Sequence, residues 1–308
     1  MAMEQRKPEK LFRFFPPEAS DFFSSKKLWF SSFKDFNDPF EMLPCYDDDI
    51  EAGITEHAKK DYAFLSPSEN ISWNEFKRHY KKRVFEFGRE ELECVPEVIQ
   101  KKWSELFGII CLVGNPNGHN NLLMWGHYAK GHSGFVVEFD PKHKLFQIDG
   151  QMEIFGEVEY SPHRPAFKVG VQNAILMKGM DWKDESEYRL IKTVTNLQPG
   201  ERVWKGGTIK KQWYLDLPTD LVLRVYFGCR MLDSKREEMI KSLESAEWNN
   251  VEPFVMRIHR TNYEIEPIPL KEWKPMSQEA KEQIEKKWEA SLAKYVNESD
   301  RQWIKKGQ

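Results

Sequence analysis

DWKDESEYRLIK, residues 181–192, places two glutamates, Glu185 and Glu187, one residue apart at the mouth of an apolar run. The run from Glu187 to Val194 reads as a β-strand. In a strand, residues i and i+2 point to the same face, so Glu185, Glu187 and Arg189 would stand in one row. Two readings follow. Carboxylates on one face repel, which raises the pKa of at least one and suits the pair to acid–base work. Alternatively the row is a solvated strand end with Arg189 as counter-ion, worth little at a surface. The residue types alone leave the two level.

Working outward, apolar runs bounded by turn formers predict further strands at 11–15, 28–33, 108–114, 134–140, 153–161, 221–228 and 252–260. Residues 201–217 resemble a hairpin turning at Gly206 and Gly207. Helical spacing predicts a short helix near 18–25, an insertion over 47–106 broken by SPSEN (66–70), and helices at 122–131, 165–180 and 233–246. A C-terminal helix from Ser277 to about Val296 carries the apolar stripe Ile284, Trp288, Leu292 and Tyr295, read first as core packing and otherwise as a dimer face. The order is strand-rich and irregular rather than repeating βαβ, which favours an α+β fold. The domain plan is one α+β domain over 11–270 and a helical tail over 271–308.

The 308 residues carry a net charge of -3, so no global basic signal points to nucleic acid. The local run Lys77, Arg78, Lys81, Lys82 and Arg83 reads first as a solvated helix face. Eleven Trp and 21 Phe suffice for a real core. Four separated cysteines form no CxxC pair, against a cysteine zinc site. The first ten residues, polar and expected to be loose, lack a signal-peptide core, and no apolar stretch reaches membrane-span length. A cytoplasmic protein with no membrane association is the expectation; oligomeric state is not legible.

The densest chemical cluster is HNNLLMWGHYAKGH, residues 119–132, with Trp125, His127, Tyr128 and His132. Packing and local satisfaction of the histidines is the plain reading. Trp125 or Tyr128 could instead stack on a flat ring. A metal site built on His127 and His132 lacks the HExxH spacing. FNDPFE (36–41) is turn chemistry anchored by Phe36 and Phe40, although Asp38 or Glu41 could face a pocket. Dinucleotide glycine fingerprints, a Walker motif and a Gly-x-Ser-x-Gly elbow are all absent. Cys111 lies in an apolar run, where thiols are usually inert.

The blocks NDPFE (37–41), MWGHYAKGHSG (124–134) and WKDESEYR (182–189) resemble the bacterial domain-of-unknown-function 2971 family, which carries these motifs in this order. More distantly, the layout is similar to ADP-ribosyltransferase folds. That similarity implies a split mixed or antiparallel β-sheet holding NAD in a cleft. It places Arg13 on the dinucleotide, Ser31 in the hydroxyl role, and Tyr128, with Trp125 and His127 beside it, against the nicotinamide. Glu187 would be the catalytic acid and Glu185 would orient the acceptor. The expectation is an enzyme that cleaves NAD, its substrate and sole cofactor, and modifies a nucleic-acid or protein acceptor, as a toxin or antiviral defence effector would. The alternatives are a non-catalytic nucleotide- or partner-binding sensor and a metal-dependent hydrolase or nuclease.

Overall fold

The strand Leu11–Phe15 (β1) lies at the centre of an eight-stranded mixed sheet. The computed structural model describes residues 7–45, 59, 62, 72–85, 89–148, 153–165, 174–203 and 209–292. The N-terminal six residues, SPSEN, much of the 47–106 insertion, the 204–208 turn and the chain beyond 292 lie outside these. Two compact units divide the chain, Met1–Pro267 and Ile268–Gln308.

The large sheet is assembled from strands far apart in sequence. Beside β1 runs Phe135–Phe139 (β4) on one side and Phe107–Val113 (β3) on the other. Beyond β4 come Val222–Phe227 (β11), Glu252–Ile258 (β12) and Ile265–Pro269 (β13), within which the first unit ends. Beyond β3 come Glu187–Thr193 (β8) and Ile154–Glu157 (β5). Every β4 residue is buried, as FVVEF demands of a strand covered on both faces. On one face Phe14 meets Trp125 edge-on at 5.6 Å. On the other, Phe15 stacks on Phe135 at 4.9 Å, beside the short helix Phe22–Ser25 (α1).

Pairing around β1 is uneven. It matches β4 over five residues but shares with β3 only the bridge Phe12↔Val113. The two strands then part. The space between them is met by Lys27–Phe30 (β2), whose following residue Ser31 bridges to Ile109. β2 itself belongs to a three-stranded antiparallel sheet with Gln198–Val203 (β9) and Ile209–Asp216 (β10). The expected hairpin is therefore present in its strands.

Two short strands, Glu159–Ser161 (β6) and Met177–Gly179 (β7), pair in parallel. This corrects the helix expected over 165–180: residues 177–179 are extended, and 166–173 lie outside the described residues. Helices Trp73–Phe85 (α2) and Arg89–Leu106 (α3) occupy the insertion. Leu122–Tyr128 (α4) and Asp233–Leu243 (α5) follow. In the second unit lies Gln278–Leu292 (α6), on which Ile284, Trp288 and Leu292 of the expected stripe are exposed, while Tyr295 lies outside the described residues. The result is a mixed α/β fold built on a large mixed sheet.

Candidate functional site

A cavity of about 610 Å³ opens where β1 and β3 part. Arg13, Ser31, His127, Tyr128, Glu185 and Glu187 all line it, and Trp125 does not. Trp125 is fully buried, with its indole N–H donating to the His119 carbonyl at 2.7 Å. It is a core residue that holds α4 against β1. His132 lies flat on it at 5.8 Å, with its backbone in the left-handed region at φ 70°. Among the described residues no three His, Cys, Asp or Glu side chains cluster as a metal site requires.

The carboxylates converge differently from the strand-row expectation. Glu185 closes a 3-10 turn over Met180–Glu185, and Ser186 adopts φ 47° before β8 begins at Glu187. A left-handed residue between them breaks the alternation on which a shared strand face depends. Lys178, on β7, reunites them. Its ammonium pairs with Glu185 and with Glu187 Oε2 at 3.2 Å, and sits 4.6 Å from the Trp182 ring centre.

Neither glutamate is a solvated strand end. Glu187 is 3% exposed and Arg189 is wholly buried. The guanidinium grips two carboxylates at once: Nε and Nη2 donate to Glu187 at 2.9 and 3.1 Å, and Nη1 and Nη2 to Glu41 at 2.5 and 2.9 Å. Nη1 also reaches the Ile175 carbonyl at 2.6 Å. Planar, two-pronged donation of this kind is what arginine supplies and lysine does not. Burial works to raise the Glu187 carboxyl, but Arg189 and then Lys178 outweigh it and hold the group at about 2. Burial also works against the Lys178 charge, yet Glu187 and Glu185 keep its pKa above the ordinary lysine value.

Tyr128, at the end of α4, donates its hydroxyl to Glu185 Oε1 at 2.5 Å. Burial and the Glu185 charge raise its pKa, so it acts as a donor rather than a phenolate. Cys111 is likewise raised by burial and by Glu187, and stays a thiol. Arg13, which also lines the cavity, donates to the Trp29 carbonyl at 3.0 Å, while its Nη1 is buried with no hydrogen-bond partner. Burial, then the neighbouring Arg202 charge, lower Arg13 to about 10. An orphaned buried guanidinium nitrogen is costly unless something supplies an acceptor. The cavity lining thus holds guanidinium and ammonium groups as well as carboxylates.

The FNDPFE turn serves this centre. Asp38 caps the Phe40 amide at 2.9 Å, as turn chemistry predicts, and lines the cavity. Glu41 is carried inward to Arg189, while Phe40 is 61% exposed and anchors nothing. Sequence reasoning missed Lys178, Tyr160, Trp182 and Arg202. The one available signal was that Trp182 opens a block of the family-like pattern, as Glu41 and Arg189 close theirs.

Residues 124–190 match the family model described as Protein of unknown function (DUF2971). The expected family is borne out over that stretch. No curated protein and no solved structure matches the chain. The DUF2971 stretch holds Tyr128, Lys178, Glu185, Glu187 and Arg189, the whole carboxylate wall apart from Glu41, whereas Arg13 and Ser31 come from outside it. No helix among the described residues is long and apolar enough to cross a membrane.

Proposed function

We propose that the cavity binds NAD and cleaves its nicotinamide–ribose bond, passing ADP-ribose to a nucleic-acid or protein acceptor in the manner of an ADP-ribosyltransferase-like fold. The observation that carries this reading is the mixed lining: Arg13, with one guanidinium nitrogen that has no hydrogen-bond partner, borders the same cavity as Tyr128, Glu185 and Glu187. A guanidinium in the lining suits a phosphate-bearing ligand, and the carboxylates suit a sugar that develops positive charge. The volume lies within the usual range for small-molecule sites, roughly 300–1,000 Å³.

In this reaction the C–N bond breaks and its electron pair leaves with nicotinamide. Positive charge develops on the ribose, and a fixed carboxylate stabilises it as it forms. The acceptor's proton passes to a carboxylate as the new bond closes. Glu187 already takes two bonds from Arg189 and one from Lys178, whereas Glu185 takes one each from Tyr128 and Lys178. That spare acceptor capacity favours Glu185 for substrate contact, with Glu187 as its fixed neighbour, an exchange of the roles the resemblance implies.

The test is NAD incubated with wild type, Glu185→Gln and Glu187→Gln, with candidate acceptors added in turn and free nicotinamide followed by chromatography. Wild type should release nicotinamide, and Glu185→Gln should lose on the order of 10²–10³ in kcat. No release by wild type with any acceptor would overturn the reading. The saturation of Glu187 by cations favours one rival, a sensor that holds the nucleotide without turnover. Calorimetric NAD binding with no nicotinamide released would select it.

A further inference from the structure

We propose that Lys178 is the positioning residue of this site: its ammonium, seated on the Trp182 ring between Glu185 and Glu187, holds the two carboxylates together as one acceptor wall. The placement is built by backbone. β6 and β7 pair in parallel with Tyr160 directly opposite Lys178, so the two side chains share a face. The Tyr160 hydroxyl oxygen accepts the Glu187 amide at 2.8 Å, and Lys178 takes the carboxylates. This short ribbon therefore clips on to the start of β8 at both its backbone and its side chain. Without it, Ser186 would leave the two glutamates on separate elements with only repulsion between them.

The surroundings explain why a lysine stands there. Three carboxyls, Glu41, Glu185 and Glu187, share two cations, Arg189 and Lys178. Arg189 has no donor left for Glu185, since its five N–H groups face Glu187, Glu41 and the Ile175 carbonyl. Among the described residues only Lys178 forms an ion pair with Glu185. Tyr128, Tyr160 and Cys111, also titratable at this wall, remain neutral because burial raises all three. The Lys178 side chain is 6% exposed, so its attraction is little screened by solvent.

The role in turnover rests on the NAD reading, and the test keeps the two apart. In the first arm, nicotinamide release is followed across pH for wild type, Lys178→Met and Lys178→Arg. Lys178→Met should lose roughly 10²-fold in kcat with KM little changed, and its acidic limb should move to higher pH. Lys178→Arg, which keeps a cation between the glutamates, should recover most of the loss. A wild-type kcat and an unmoved limb in Lys178→Met would overturn the proposal. In the second arm no NAD is present: the glutamate side-chain ¹³C signals are titrated, with Glu187 assigned from Glu187→Gln. The Glu187 transition should rise in Lys178→Met, and an unchanged transition would overturn the proposal even if no variant cleaves NAD. A third readout uses the unaltered protein, in case Lys178→Met does not fold. The Lys178 ¹⁵Nζ signal should titrate above the ordinary lysine value, and titration at or below that value would refute the pairing.

Discussion

Arg189 is the residue on which the described centre depends most. It is wholly buried, 5.7 Å from the Phe36 ring centre and bonded to two carboxylates from opposite ends of the chain's motif pattern. Removing one member of a buried ion pair leaves the partner charge uncompensated, which typically costs about 3–5 kcal/mol. Arg189→Met should therefore lose stability on that scale in urea unfolding. Glu41→Gln, which keeps a hydrogen-bonding oxygen for the guanidinium, should lose less. A surface-like loss below about 1 kcal/mol in Arg189→Met would show that the pair is not buried in solution. The sequence offered Arg189 as a counter-ion to neighbouring acids, and that was legible. Its second partner was not, because no local pattern reveals that residue 41 folds on to residue 189.

At the scale of elements, α4 positions Tyr128 and His127 through its N-terminus. The Asn121 side chain accepts from the Leu123 and Met124 amides at 3.1 and 3.2 Å, and its amide group donates to the Asp184 carbonyl at 2.9 Å. One cap thus ties the helix to the turn that carries Glu185. Asn121→Ala should cost about 1 kcal/mol in thermal unfolding, the usual value of such a cap. If the proposed function holds, it should also weaken NAD binding, because both partners of the Tyr128–Glu185 bond loosen; a stability loss with unchanged binding would confine the cap to the helix alone.

Elements of this kind were largely readable. The strands LFRFF, GIICLVG and GFVVEFD stand where β-branched and aromatic runs placed them, and α4 stops before Gly131 at φ 63°. The residues that escaped reading are those set by tertiary contact. β7 forms because β6 lies beside it, and the 3-10 turn before β8 forms because Ser186 takes up a left-handed conformation that no propensity requires. Ile265–Pro269 was missed because two prolines argue against a strand, and β13 lies at the sheet edge, where proline is tolerated.

For the molecule as a whole, the low Glu187 pKa is a statement about stability. Its folded value is about 2 against an ordinary 4.5, so the folded state binds fewer protons at this site than the unfolded chain between those values. The contribution is fully present above about pH 4.5 and is lost as pH falls towards 2. Denaturant unfolding across that window should show wild type losing stability more steeply than Glu187→Gln, which has no such proton to take up. Parallel slopes would place the acid sensitivity elsewhere.

The lone bridge between β1 and β3 has a counterpart in time. The five residues of β1 are made early, yet their full-length partner β4 ends at Phe139, 128 residues after Leu11. At roughly 5–20 residues per second of synthesis, Leu11 waits on the order of ten seconds for that partner. Until then LFRFF has, as strand pairing within this sheet, at most the single Phe12–Val113 bridge. A sheet whose middle strand is the first to be translated cannot grow outward from its centre as it is made. Its pairing has to await the later chain.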